Sequence, residues 1–542
     1  MKKLLTLFIG LSIGFIGKAQ WNPALNQNLL VTSGGGGSFA ETMSDGKTYI
    51  GFWKSVPAPV NFELWVQILD QAGNKQLGPN GIKVSDQIPM GTYTVMEKTA
   101  VDASDNLYIG VTGTGAGTPG YVFKITPQGT SVWPNGISLG EAYLPTILPL
   151  SDGNIVVGYF PPSQKYTKVQ MFDPTGQSVW TAPTQIVSND LTKNTIPADL
   201  FKLNGDECEI IFHKQLSFGT TSYLFAQKLN LKNGGLLWDA AQQITTKSTA
   251  YNAKYTGAAD GNIVYYGYST GENMRFDGYL QRVNTDGSLP WGVYGVDFDT
   301  NQTYFEKDMK IAFTPGSSYI WSIANYSSSS QGENGEFVQK FDKNSGARLF
   351  TDHAKQVFPV DNISMFHYSN LQLVNDKPYF VVQKKEGTAL NVSLNAVQLK
   401  DNGDFEWPQQ YLPMATFPAS KAYTTVLRPI SGQGVIVFQE TKNVEGAPTG
   451  IYAQNLLLPN STMGTNDISG KKSNIKFYPN PAVDLIHIDG LKDQDFKIYN
   501  TAGQLVKSGL MTQGIIDVKD LIKGAYILKV KEKEESMKFL KK

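Results

Sequence analysis

Apolar and polar positions alternate along short segments of this chain, and Gly, Asp or Asn closes each segment. Leu107 to Val111 and Asn262 to Tyr266 are typical. A period of two predicts strands, and stretches with helical periodicity are scarce, so the pattern predicts an all-β protein.

The strands recur in a fixed grammar. Seven segments end a strand, turn at a glycine and close on a large apolar residue: VQILDQAGNKQL (Leu77), VFKITPQGTSVW (Trp133), VQMFDPTGQSVW (Trp180), AQKLNLKNGGLLW (Trp238), LQRVNTDGSLPW (Trp291), VQKFDKNSGARLF (Phe350) and VQLKDNGDFEW (Trp407). In each, a glycine stands four residues before the large residue: Gly73, Gly129, Gly176, Gly234, Gly287, Gly346 or Gly403. A hairpin turn with a positive-φ position requires that residue type. A glutamine precedes the turn in all but the second copy: Gln67, Gln170, Gln227, Gln281, Gln339 and Gln398. The closing residues are 56, 47, 58, 53, 59 and 57 residues apart, the length of a four-stranded propeller blade with its loops.

A second turn-and-strand signal runs in phase with the first, near Gly46, Asn106, Gly153, Gly205, Gly261, Gly316, Asp376 and Gly434, which makes eight copies. The ends of the region complement each other. Trp21 starts a post-turn segment without a partner, and Ile451 to Leu456 is a pre-turn strand without a continuation. Joining them in one sheet leaves no open edge, so the repeat predicts an eight-bladed β-propeller closed by its two terminal strands.

Composition narrows the setting. Lys+Arg and Asp+Glu are 47 each, so no long-range field favours nucleic acid, and none is expected as a partner. Residues 1–19 pair two lysines with an apolar run from Leu4 to Ile16 and small residues before Gln20, which predicts a signal peptide cleaved between Ala19 and Gln20. Cys208 is the single cysteine, so no internal disulfide is possible, and it is expected to be a buried apolar residue.

The turn Asp173-Pro174-Thr175-Gly176 with Trp180 resembles the tryptophan-docking repeat of eight-bladed quinoprotein-like propellers. That resemblance implies that Trp133, Trp180, Trp238, Trp291 and Trp407 pack between neighbouring blades. It concerns the scaffold only.

After the propeller region (20–458), a small polar stretch (459–473) reads as a linker. Residues 474–542 then alternate again in IKFYPNP, LIHIDG, DFKIYNTAGQLV, GIIDVKDL, AYILKVKE and SMKFLKK, which predicts a small Ig-like β-sandwich. Tyr478-Pro479-Asn480-Pro481, the turn at Gly503, Gly524 with Tyr526, and the terminal Lys538 to Lys542, including Lys541, resemble the type A C-terminal sorting domain of the type IX secretion system of Bacteroidota. Membership implies export through the periplasm and recognition by the translocon. It also implies removal by a sortase-like peptidase and transfer to anionic lipopolysaccharide, giving a secreted or outer-membrane surface protein. Gly524 is expected to permit a turn before the last hairpin.

Catalytic signatures are sparse. His213, His353, His367 and His487 are scattered without metal-ligand spacing, and a single cysteine excludes a c-type haem motif, so no metal or other cofactor is expected. Asp297-Phe298-Asp299, and Asp102 with Asp105, are acidic pairs expected to be solvated turns rather than a calcium site. The Ser33-Gly34-Gly35-Gly36-Gly37-Ser38 run lacks the lysine of a phosphate-binding loop and is expected to be a plain loop. No catalytic residue is nominated.

A non-enzymatic binding or adhesion protein for an extracellular glycan or protein is therefore the first expectation. Candidate contacts lie in loops around Tyr93, Tyr304, Phe305, His367, Tyr368 and Tyr411. The alternative is a secreted polysaccharide hydrolase or lyase with paired carboxylates on one propeller face. A structural role in a surface assembly is a third possibility.

Overall fold

The computed structural model describes residues 21–22, 24–91, 97–217, 220–249, 256–271, 275–387, 390–442, 449–459, 477–488, 492–500, 505–530 and 536–542. Every regular element among them is a β-strand. The chain divides into two compact units, Met1–Gly464 and Thr465–Lys542. The expected cleavage point at Ala19 and Gln20, and nearly all of the expected linker, lie outside the described residues.

In the larger unit the chain lays down four-stranded antiparallel sheets one after another. Six of them span 35–85, 97–141, 143–186, 194–243, 256–297 and 305–361, each with its strands in chain order. They are called the first to sixth sheets. An eight-stranded sheet follows and is two such units sharing one strand. Leu412–Val426 pairs through 412–419 with Val392–Gln398, then through 420–426 with Gln433–Thr441. The half holding Lys377–Lys385 is the seventh sheet, and the half holding Gln433–Thr441 is the closing sheet.

The outermost strand of the closing sheet comes from the start of the region. Leu29–Ser33 pairs antiparallel with Gly450–Leu457, Leu30 opposite Tyr452 and Ser33 opposite Gly450, as the complementary half-repeats predict. The glycine run beside it is not a loop. Ser33 ends one strand, Gly34 turns at φ 69°, and Gly35–Thr42 is at once the first strand of the first sheet. A Cβ on Gly35 would lie 3.0 Å from Thr32 and 3.3 Å from Ile451 and Phe52. Close approach of two sheets, rather than flexibility, therefore accounts for glycine there.

Apolar cores join each sheet to the next. Phe39, Leu64, Ile109 and Phe123 link the first sheet to the second. Val156, Met171, Ile210 and Phe212 link the third to the fourth, and Met414, Leu394, Ile436 and Tyr452 link the seventh to the closing one. One more core, with Ile50 and Phe52 against Val437 and Ile451, joins the closing sheet back to the first. Sequential four-stranded sheets packed face to face in this way are the architecture of a β-propeller.

The repeat residues serve this packing. The turn glycines all have positive φ, from 74° to 89°. Against each turn lies the large apolar residue of the preceding repeat. The indole N–H of Trp180 donates to Leu231 O at 2.9 Å, that of Trp133 to Pro174 O at 3.2 Å, and that of Trp291 to Asn344 O at 3.2 Å. A Cβ on Gly234 would come within 2.7 Å of the Trp180 ring, so this glycine is required twice over, by φ and by contact. Trp133, Trp180, Trp291 and Trp407 are all buried, and Trp238 packs partly buried on its core. Trp21 takes the same place against the first sheet. Its backbone N–H donates to Ala72 O at 3.1 Å and its indole to Gln71 O at 2.8 Å.

The recurrent glutamines are buried staples. Gln67 accepts from the N–H groups of Ile68 and Leu77 and donates to Gly78 O. Gln170, Gln227 and Gln339 reach the carbonyls of Trp180, Trp238 and Thr351 in the same way. Each holds the large apolar residue against its own strand and satisfies a buried backbone group. Cys208 is buried in the core between the third and fourth sheets, where burial pushes its thiol up to about 12.

The smaller unit has a three-stranded sheet (Phe477–Tyr478, Leu485–Ile488, Ile515–Asp517) and a four-stranded one (Leu505–Met511, Gln494–Asn500, Gly524–Val530, Ser536–Lys541). Ile486, Ile488 and Ile516 from the first share one core with Phe496, Ile498, Leu528 and Phe539 from the second.

Removing one docked indole isolates the contribution of sheet-to-sheet contact. Trp180→Ala is expected to cost about 3–5 kcal/mol. Val179→Ala, beside it and 45% exposed, should stay within about 0.5 kcal/mol. Denaturant unfolding of the protein measures both, and equal costs would contradict the docking role.

Candidate functional site

The fifth and sixth sheets meet at an open groove of about 600 Å³. Its walls come from four separate segments: Lys247, Tyr279, Tyr294 with Asp297, and Arg348 with Asp352. Alternation places Tyr279 and Asp297 together, because Gly278–Val283 pairs with Val296–Asp297 and sets these two residues opposite one another. The Tyr279 hydroxyl donates to Asp297 Oδ2 at 2.9 Å. Tyr279 stacks on Tyr268 at 5.7 Å and meets Tyr294 edge-on at 6.2 Å. Tyr268 in turn donates to Tyr294 O at 2.7 Å, so the three rings form one braced ladder.

Lys247 lays its ammonium 4.8 Å from the Tyr279 ring centre and 5.2 Å from that of Tyr294. Arg348, in the same groove, donates from Nε to Asp297 O at 3.1 Å and pairs through Nη1 with Asp352 at 3.1 Å. Burial pushes Asp297 up to about 6, against the opposing Tyr279 hydrogen bond. A rigid aromatic wall with cations and carboxylates around it fits the rings and hydroxyls of a saccharide.

Behind the groove the acidic groups are sealed. Glu306 accepts the Gly278 N–H at 2.7 Å, and burial, then Asp299 and Asp297, push it far above the carboxylate range. Asp299 accepts from the Tyr326 hydroxyl and from Asn301 N–H at 2.6 Å. Arg275 pairs with Asp277 at 2.7 Å and holds the carbonyls of Asn301, Gln302 and Tyr304, which fixes that loop from within.

Two of the nominated aromatics, Tyr304 and Phe305, join this framework, and Tyr411 packs in the next core. Tyr304 packs on Tyr326 at 6.3 Å, Phe305 faces Phe276 and the Arg275 guanidinium, and Tyr411 packs on Phe358 at 6.1 Å. His367 is fully buried. Its backbone N–H and Nδ1 both meet Glu336, at 2.8 Å, and its Nε2 lies 3.9 Å from Asp308, which pairs with Lys310 at 2.7 Å. Burial raises Glu336, and His367 opposes that rise. Tyr368 is 43% exposed, and Tyr93 lies outside the described residues. The groove takes in none of these nominated residues. The acidic pairs divide likewise: Asp297 lines the groove while Asp299 is internal, Asp102 caps its own turn through Ser104 and Asn106, and Asp105 accepts from Ser44.

In the smaller unit, the Tyr478–Pro481 segment and the chain's last residues form one piece of structure. Asn480 accepts the Leu540 N–H at 2.9 Å, Ala482 donates to Leu540 O at 2.6 Å, and Lys542 donates back to Ala482 O at 2.9 Å. Tyr478 stacks on His487 at 5.6 Å, and Pro479 and Pro481 both follow cis bonds. Lys541 stands opposite Gly524. Gly524 does not form a turn: it opens the strand Gly524–Val530, and the Tyr526 hydroxyl closes the preceding turn by donating to Ile522 O at 2.7 Å. Gly503 lies outside the described residues.

Residues 476–542 match the family described as the secretion system C-terminal sorting domain. The smaller unit is a secretion-system sorting domain. No curated protein matches the chain. Among solved structures, a PL25 ulvan lyase is similar at 12% identity and a TM-score of 0.44, over 80% of this chain and 95% of that one. The Dos1 propeller is similar at 10% identity and 0.46, over 81% and 96%. The polysaccharide lyase Uly1 is similar at 10% and 0.41, over 68% and 92%. None of their chemistry carries over at these values. No helix among the described residues is long and apolar enough to cross a membrane.

Glu209, in the fourth sheet, is a separate buried acid whose carboxylate oxygens have no hydrogen-bond partner among the described residues. Burial pushes it up to about 8, with Lys228 opposing. Because the folded state holds this proton more tightly than the unfolded chain, its contribution is complete below the unfolded pKa near 4.5 and is lost as pH rises through about 8. Glu209→Gln should therefore match the parent near pH 4.5 and exceed it at pH 9, by on the order of 2–5 kcal/mol. Unfolding free energies of both proteins across that range test this, and a constant difference would refute it.

Proposed function

We propose that this chain is an exported extracellular binding protein: an eight-bladed propeller that contacts a glycan or a surface protein, carried out by its sorting domain. The single observation behind the binding reading is the groove beside Tyr279 and Tyr294, open to solvent and walled by rigid aromatics, whereas the Glu306 carboxylate behind it is sealed. The eightfold count is supported by six four-stranded sheets, two more in the shared one, and a core returning from last to first. The smaller unit we read as an Ig-like sandwich.

The proposed organisation is a leader at 1–19, a propeller at 20–458, a linker at 459–473 and the sorting domain at 474–542. The route is type IX secretion, with the translocon, a sortase-like peptidase and anionic lipopolysaccharide as partners and a Bacteroidota cell surface as destination. Tyr478, Pro479, Asn480, Pro481, Gly503, Gly524, Tyr526 and Lys541 are the proposed recognition motif. Deleting residues 476–542 in a type IX-competent host should leave the protein in the periplasm. Its undiminished appearance in the medium would sink the route.

A hydrolase or lyase is the second reading. It is favoured by one observation: Asp297, pushed up to about 6 by burial, and Asp352 line the same groove, an acid and a carboxylate together. Asp297→Asn separates the two readings once a polymer is found by screening the exported protein on a glycan array. A binder should show no product from that polymer and change affinity by less than about tenfold, roughly the effect of one hydrogen bond. An enzyme should release product and lose at least about 100-fold in rate.

A further inference from the structure

We propose that the groove between the fifth and sixth sheets binds an acidic saccharide, one bearing carboxylate or sulfate groups, through Lys247 and Arg348. This rests on the binding reading above and names its ligand class. Lys247 has no carboxylate within salt-bridge distance among the described residues; its ammonium is held over the two tyrosine rings instead. A cation stationed there is fixed in place by the rings yet keeps its N–H donors for a ligand. In the same groove, Arg348 is anchored by its Nε to a backbone carbonyl, which orients the guanidinium. Its Nη1 meets Asp352, and its Nη2 has no partner among the described residues.

Two carboxylates border the same space and oppose an anion. Asp352 is 74% exposed, so water screens it and its pair with Arg348 exchanges readily for a ligand. Asp297 is occupied by the Tyr279 hydroxyl and is largely withdrawn from solvent. Both cations therefore line the groove with donors to spare, beside an exposed ring, Tyr294, that is 46% accessible. A sugar ring seated beside that tyrosine brings its acidic substituent near Lys247, 5.2 Å from the ring centre, in a groove that Arg348 also lines. A neutral sugar would gain nothing from either charge.

The full-length exported protein, immobilised and exposed to polygalacturonate, dextran sulfate and neutral dextran, provides the test. Binding of at least one acidic polymer, weakened by added salt, with no binding of dextran, is the expected result. Polygalacturonate alone would assign a carboxylate ligand, and dextran sulfate alone a sulfate. Lys247→Met should weaken binding by about tenfold or more, Lys247→Arg should restore most of it, and Arg348→Gln should weaken it similarly. Should Lys247→Met lower the thermal midpoint, the Arg and Gln variants decide in its place. Dextran bound as well as the acidic polymers, with Lys247→Met unaffected, overturns the acidic assignment and leaves the groove as a neutral-glycan site. Failure of all three polymers while a glycan array finds a different ligand overturns it equally, and an empty array would sink the glycan-binding reading itself.

Discussion

The large apolar residue that closes a repeat is seated on the turn of the next one, from Trp21 at Gly73 to Phe350 at Gly403, and the rest of the larger unit depends on this contact. The indole of Trp180 reaches across to Leu231 O and fills the space left by Gly234. The contact works only if the turn carries no side chain and if the neighbouring sheet is in place. A lone sheet of this chain would expose one apolar face on each side, so no sheet can bury its core alone. Stability is thus a property of the succession, and the succession must end somewhere. Trp21, docked on the first sheet, and Leu29–Ser33, paired to the last, supply the missing contacts from the start of the same chain.

That dependence explains what was legible beforehand. Turn glycines and docked aromatics are set by local geometry and recur at a fixed spacing, so they stand out in the sequence. The glutamines recur as visibly, but their task, accepting from Leu77 N–H and donating to Gly78 O, becomes clear only when strand and turn are folded together. The glycine run at 34–37 misleads for the opposite reason. Locally it resembles a flexible loop, whereas its cause is the approach of Ile451 from the closing sheet and of Phe52 from the neighbouring strand. Tyr304 and His367 look like loop contacts in the sequence because nothing there records Arg275 or Glu336, which draw that region inward.

The groove was not legible at all. Lys247, Tyr279, Asp297 and Arg348 are spread over a hundred residues and share no motif. Only the pairing of Gly278–Val283 with Val296–Asp297, and the docking of the next sheet's turn beside them, brings them together. The signal that could have found them is weak: a lysine ahead of a tyrosine-rich repeat. Sites assembled from successive repeats vary one residue at a time without disturbing the scaffold, which is why the scaffold carries the pattern and the site does not.

The distribution of ionisable groups follows from the same constraint. With one cysteine and no disulfide, an exported chain relies on packing, and buried charge must be compensated inside. Glu336 has His367, Asp308 has Lys310, and Lys421 has Glu440 at 3.1 Å, each pair withdrawn from solvent. The last of these lies in the closing sheet, where Asn28, just ahead of the N-terminal strand, also donates to Glu440 at 2.9 Å. A buried carboxylate that gains this further donor only when the N-terminal segment has arrived ties electrostatic compensation to closure. Opening the ring would strip Glu440 of that contact as well as exposing apolar surface, so the seam is held by two unlike forces that are lost together.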